Sequence, residues 1–213
     1  MRRRTAVLFS GRGSNLAALC AAAAAPDFPA EVVLAATNEP GAPGLGVAAA
    51  AGVAQAVVDH RPFGRDRVAH ERALLARLDE ARVELVCLAG YMRRLSPVLV
   101  GAFAGRMLNI HPSLLPAFPG LDTHARALAA GVKLHGCTVH LVTEALDDGP
   151  IFAQAAVPVL PGDTVEGLAA RVLVQEHRLY PLALALLARG AAGVPAAAEA
   201  ALLNPLPAAV AVV

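Results

Sequence analysis

Thr5-Ala6-Val7-Leu8-Phe9-Ser10-Gly11-Arg12-Gly13-Ser14-Asn15-Leu16 is an apolar run that stops at a glycine-rich turn and opens into a helical pattern. A strand delivered into such a turn and then a helix is the first half of a βαβ unit. The same alternation continues outward along the chain. Short apolar runs predict strands over 5–10, 32–37, 55–58, 85–89, 106–110, 137–142 and 151–158. Between them, helical spacing predicts helices over 15–25, 44–51, 66–81, 123–130 and 164–188. The fold class that follows is α/β: a mostly parallel twisted sheet with helices on both faces, in a Rossmann-like arrangement. Within 66–81, Leu74, Leu75 and Leu78 form an apolar stripe, while Arg67, Glu71 and Arg77 are expected to stay wet. The last helix is expected to open at Asp163, with Glu166 completing an approximate capping box.

The glycine turn has a chemical reading as well as a structural one. Glycines let the backbone approach an anion, and the unpaired N–H groups of the first helical turn supply donors and positive dipole. Gly13, Ser14 and Asn15 are the candidate phosphate contacts. The loop is neither a dinucleotide fingerprint, since Leu16 stands at the third glycine position, nor a nucleoside-triphosphate loop, which needs a lysine. Taken alone, it is equally a plain structural turn.

Composition narrows the classes of partner. The 213 residues suit one domain, and the formal net charge of +1 gives no long-range field to attract nucleic acid or an anionic membrane. Arg2-Arg3-Arg4 before an apolar run imitates an export signal, but the run ends at Phe9, short of the ~7 to 15 apolar residues such a signal needs. No apolar run reaches the ~18 residues of a membrane-spanning helix. Cys20, Cys87 and Cys137 are odd in number and widely spaced, which disfavours a disulfide framework. A cytoplasmic location is expected. From Ala191 onward, the alanine- and proline-rich sequence reads as a poorly specified tail, which leaves 1–190 as the domain and 191–213 as its extension.

The chemistry concentrates in Asn109-Ile110-His111-Pro112-Ser113-Leu114-Leu115-Pro116 and in Leu146-Asp147-Asp148-Gly149-Pro150. On an extended segment, Asn109 and His111 project to the same side. Acyl transfer to an amine needs a donor aimed at the carbonyl oxygen as it becomes anionic, and a group that manages protons. Asn109 can supply the first without titrating. His111 can supply the second, helped by Asp147 if the carboxylate stabilises the imidazolium. Each residue has a bland reading too: Asn109 and Asp147 as turn formers, and His111 as a hydrogen-bonded loop residue. A zinc site built from His111, His124, His135 and His140 is a competitor, although their spacing matches no compact ligand motif. Ser113 lacks the G-x-S-x-G setting of a serine nucleophile.

Five stretches, FSGRGSNL, LAGYMRRLSP, GRMLNIHPSLLPAFPGLDTH, HGCTVHLVTEALDDGP and VQEHRLYP, resemble in order and approximate spacing the phosphoribosylglycinamide formyltransferases, folate-dependent enzymes of purine synthesis. The resemblance runs from about Thr5 to Gly190. It implies transfer of the formyl group of 10-formyltetrahydrofolate to the amine of glycinamide ribonucleotide, with Asn109, His111 and Asp147 catalytic and no metal. It places the substrate phosphate on Gly13, Ser14 and Asn15, and the ribose on Glu176. The folate cosubstrate would lie against Met92, Arg93, Arg94 and Leu95, against Asn109, and against Thr143, Glu144, Ala145, Leu146 and Asp147, with Arg67 near its tail. The partners implied are these small molecules, with neither nucleic acid nor membrane, and a monomer or homodimer. Asp122 departs from the family pattern, where some relatives have histidine, and Asp148 stands where other residues are familiar. The motif N-I-H-P-S-L-L-P also occurs in other users of the same donor. A formyltetrahydrofolate hydrolase, a methionyl-tRNA formyltransferase and a noncatalytic mononucleotide-binding module therefore stay as alternatives.

Overall fold

The computed structural model of the chain describes residues 1–190 and 201–203. Its strands are β1 (Arg3–Phe9), β2 (Ala30–Thr37), β3 (Ala54–Val57), β4 (Leu85–Leu88), β5 (Met107–His111), β6 (Leu134–Leu141), β7 (Ile151–Pro158) and β8 (Ala201–Leu203). The helices are α1 (Ser14–Ala23), α2 (Gly44–Ala50), α3 (Arg67–Glu80), α4 (Pro97–Ala102), α5 (Thr123–Ala129) and α6 (Val165–Ala188). The sheet order is β3-β2-β1-β4-β5-β6-β7-β8. Strands β1 to β5 pair in parallel, β6 runs antiparallel to both its neighbours, and β8 is parallel to β7. The α/β architecture with a mostly parallel sheet is thus as expected. Of the expected tail, 201–203 forms an edge strand, and 191–200 and 204–213 lie outside the described residues.

Alternation along each strand feeds two cores. Val7 and Phe9 of β1 face Leu16 and Leu19 of α1 and Leu168, Val172 and Tyr180 of α6. Ala6 and Leu8 face the other layer, where Leu74 and Leu78 of α3 meet Leu99 of α4. A central strand buried on both sides reads as a continuous apolar run, which is why 5–9 was legible as a strand. The chain leaves β1 in one direction to build β2 and β3, then returns to the other side of β1 as β4. A crevice opens where the connections diverge, at the carboxyl ends of β1 and β4.

Several local expectations need correction. Glu71 is not wet: it is 3% exposed and accepts from Ser96 N–H at 2.6 Å, from the Ser96 hydroxyl, and from Leu99 N–H at 3.2 Å. The carboxylate thereby satisfies the amino end of α4, a helix absent from the sequence reading. Its signal was Ser96-Pro97, a capping serine followed by proline at the first helical position, and Ser96 Oγ does accept from Val98 N–H. The cap of α6 is Thr164, which accepts from Gly167 N–H at 3.1 Å. Asp163 instead makes two 2.8 Å bonds to Arg171, which hold its carboxyl down at about 2. Finally, β6 begins three residues before the expected Cys137.

Candidate active site

The crevice is a cleft of about 840 Å³ lined by the β1–α1 loop, the segment after β4, the end of β5, the β6–β7 loop and one side of α6. That volume lies toward the upper end for small-molecule sites and leaves room for two ligands side by side. Within it are Ser14, Asn15, Met92, Arg93, Arg94, Leu95, Asn109, His111, Glu176 and all five residues from Thr143 to Asp147. Gly13 and Arg67 are not part of the lining. Arg67 is exposed at the start of α3. Gly13 lies behind the loop as the left-handed N-cap of α1, with φ 76°.

The amino end of α1 is open to an anion. No side chain caps it, and its first turn carries no acidic residue, so the leading N–H groups have no partner within the helix. The loop is pinned from behind. A Cβ on Gly13 would sit 2.7 Å from the Gly44 Cα, and one on Gly44 would strike the Phe9 ring at 2.5 Å. Two glycines are therefore required for α2 to pack directly against the loop. Arg12, which also lines the cleft, was not singled out by sequence reasoning; a cation inside the glycine turn was its only signal.

Asn15 and Glu176 meet although 161 residues apart. The Asn15 amide donates to Glu176 Oε2 at 2.7 Å, and the Asn15 Oδ1 has no partner although it is buried. Burial raises the Glu176 pKa, and the bond from Asn15 offsets part of the rise. A carboxylate beside an unfilled amide oxygen is an acceptor pair suited to hydroxyl groups.

At the centre, β5 ends in Asn109 and His111, and the antiparallel register sets Asn109 opposite His140. Asn109 Nδ2 donates to His140 Nε2 at 3.0 Å, while His140 Nδ1 donates to the Leu141 carbonyl at 3.0 Å. His140 can make both bonds only as the neutral ring, the form favoured by burial, which lowers its pKa. The strand pairing slips beside this residue, where Val139 opposes Ala153 but His140 opposes Ile151, and such an irregularity re-aims a side chain. One N–H of Asn109 is committed to His140, leaving the other for a ligand.

His111 and Asp147 also converge. His111 Nδ1 lies 3.4 Å from Asp147 Oδ2, and both side chains are more than nine-tenths buried. His111 Nε2 donates to the Phe118 carbonyl at 3.0 Å. The Nδ1 contact is too long to be a well-formed hydrogen bond, which leaves Nδ1 as the ring nitrogen without a close partner. Asp147 is fixed by Gly120 N–H, which donates to Oδ2 at 2.8 Å, and lies 3.9 Å from His140 Nε2. Phe118 and Asp147 both have positive φ, 56° and 52°. Such a conformation is a sign of constraint where it falls on the groups around one histidine. The loop that carries Asp147 is closed by Gly149, whose missing side chain would lie 1.7 Å from the Leu141 carbonyl oxygen.

A second histidine pair joins His124, which lines the cleft, to His135, which does not. His124 Nδ1 and His135 Nε2 are 3.1 Å apart. Burial, together with neighbouring rings, pushes His135 down to about 4 and also lowers His124. Among the described residues, no group of three or more His, Cys, Asp or Glu is placed to hold a metal. Among those residues, too, no helix is long and apolar enough to cross a membrane.

The family pattern described as Formyl transferase matches residues 3–184. The phosphoribosylglycinamide formyltransferase of Escherichia coli (strain K12) is 45% identical over 184 residues, covering 86% of this chain and 86% of that one. The trifunctional purine biosynthetic protein adenosine-3 of Drosophila pseudoobscura pseudoobscura is 50% identical over 192 residues, 89% of this chain, but the chain spans only 14% of that protein. A crystal structure of the phosphoribosylglycinamide formyltransferase from Brucella melitensis superimposes with a TM-score of 0.85 at 58% identity, over 89% of this chain and 97% of that one.

Proposed function

The chain belongs to the formyl transferase family, and on that premise we propose that it transfers the formyl group of 10-formyltetrahydrofolate to the amine of glycinamide ribonucleotide, within residues 1–190. The observation that carries this reading is the convergence of Asn109, His111 and Asp147 in one cleft, with a bond-ready amide and a ring 3.4 Å from its acid. Beside them lies an anion cradle suited to a ribonucleotide phosphate.

In this reading, the open amino end of α1, with Ser14 and Asn15 and with Gly13 shaping the turn behind them, holds the phosphate, and Glu176 with Asn15 Oδ1 receives the ribose hydroxyls. The pterin of the cosubstrate enters between the Met92 to Leu95 wall and the loop carrying Thr143, Glu144, Ala145 and Leu146. Arg67, outside the cleft lining, is assigned only to the folate tail. The amine lone pair attacks the formyl carbon and the carbonyl π pair moves to oxygen. The free N–H of Asn109 and the Nδ1–H of His111 donate to that oxygen as it becomes anionic. Asp147 balances the imidazolium and, through water, accepts the proton shed by the amine. Collapse then expels the N10 nitrogen, which takes up a proton, leaving formylglycinamide ribonucleotide and tetrahydrofolate. No covalent enzyme intermediate is needed. The long His111 Nδ1 contact supports this scheme, because an Nδ1–H that is not committed to Asp147 can turn to the reacting oxygen.

The test is release of deformylated folate by pure protein, with and without glycinamide ribonucleotide. Release that depends on the acceptor supports the transferase. Equal release without it would point to a hydrolase, and no release under either condition to a binding module.

A further inference from the structure

Outside the groups used above, one polar chain runs from the molecular surface into the cleft. Ser10, the last residue before the phosphate loop, donates its hydroxyl to Asn38 Oδ1 at 2.6 Å and accepts the Met92 N–H on its oxygen at 2.8 Å. Asn38, 2% exposed at the end of β2, donates its amide to Glu39 Oε1 at 3.2 Å. Glu39 is held by Arg61 at 3.0 Å. The charge at the outer end sets the polarity of the whole chain. With its amide reversed, Asn38 would turn its oxygen on the Glu39 carboxylate, so the amide must donate outward and accept from Ser10. The Ser10 hydrogen is then spent on Asn38, and its lone pair is left facing Met92. Donors all point the same way, an arrangement in which each bond strengthens the next.

Met92 opens the wall that faces the pterin in the proposed function, and its side chain is 69% exposed into the cleft mouth. The far end of the same wall is fixed by Ser96 on the buried Glu71. The near end has Ser10, through its side chain to Met92 and its own N–H to the Gly90 carbonyl at 3.1 Å. Resting on the formyl transfer proposed above, we propose that Ser10 and Asn38 are positioning residues for the donor subsite. They tie the β1–α1 loop to the wall that begins at Met92, so that the folate meets a surface already set in place. Neither touches a reacting atom.

The experiment is steady-state kinetics of Ser10→Ala, Ser10→Thr and Asn38→Leu beside the wild-type protein, joined to amide hydrogen exchange at Met92. Removing one net hydrogen bond is worth roughly 3- to 10-fold in an equilibrium constant. Ser10→Ala should raise KM for 10-formyltetrahydrofolate by that factor, with kcat within about twofold, and speed exchange of the Met92 amide. Ser10→Thr keeps the hydroxyl and should restore both. Asn38→Leu, which leaves Ser10 in place but removes its acceptor, should move KM in the same direction and provides the reading should Ser10→Ala not fold. A wild-type protein without transfer would sink the functional reading. Active wild type with an unchanged donor KM and unchanged Met92 exchange in Ser10→Ala and Asn38→Leu would overturn this one.

Discussion

Replacing Asp147 by Asn removes a charge while keeping nearly every atom in place, and so isolates what the carboxylate does for His111. The two groups are 3.4 Å apart and almost fully screened from solvent. At that separation, unit charges in a medium of effective dielectric about 20 attract by ~5 kcal/mol, which is a ceiling. Relaxation and entering water recover part of the loss, so the imidazolium should lose about 2 to 4 kcal/mol of support, or roughly 30- to 1000-fold in kcat. Gly120 N–H keeps the amide oxygen at the Oδ2 position, so the NH2 falls at the Oδ1 position on the side of His140, and His111 Nδ1 faces a neutral oxygen in place of a charged one. Folding should survive, because an amide oxygen can still accept from Gly120 N–H. The assay is acceptor-dependent folate release under saturating substrates, with thermal unfolding measured on the same sample. An Asp147→Asn protein that unfolds like the wild type and retains kcat within fivefold would refute the account of how His111 is charged.

Loss of one oxyanion donor costs ~100- to 1000-fold, so Asn109→Ala should lower kcat by that much with little change in Tm; both are read by turnover and calorimetry. Glu176→Gln keeps an acceptor for Asn15 but weakens the grip on a diol, and should raise KM for glycinamide ribonucleotide about tenfold while leaving the donor KM alone. Acid should weaken the fold through His135: above pH 6.5 the ring is neutral folded or unfolded, whereas below it the unfolded chain takes up a proton that the folded ring refuses until about pH 4. Stability therefore rises with pH across that window, by up to about 3 kcal/mol, and His135→Gln should reduce the slope of unfolding free energy against pH by nearly one proton in urea titrations. Gly149→Ala forces a methyl onto the Leu141 carbonyl and should lower Tm by roughly 2 to 12 °C, seen by scanning calorimetry.

What could be read from sequence divides along physical lines. The apolar run 151–158 coincides with β7, and α3 lies within one residue of its expected ends, because period and punctuation are local properties. The short α4 carried its cap in plain view but too few residues for a period to emerge. Glu71 looked wet because helical spacing says which residues share a face, and not what another segment brings to that face. The same limit applies in the site. Asn109 and His111 were legible as a pair from strand alternation, and Asp147 was legible as a carboxylate in a second motif, but spacing alone could not show that it meets them. His140 was weighed only as a metal ligand, since the antiparallel register that sets it opposite Asn109 joins residues 31 apart. Phe118 carried no chemical signal at all, because it contributes a carbonyl, and only its positive φ marks it.

The contact of Gly13 with Gly44, and of Gly44 with the Phe9 ring, means that the β1–α1 loop, the phosphate cradle of the proposed function, is braced by α2. A cradle that already has its bound shape gives up little conformational entropy when filled. More of the interaction with a dianion is then left over as affinity, and encounter needs no prior ordering of the loop.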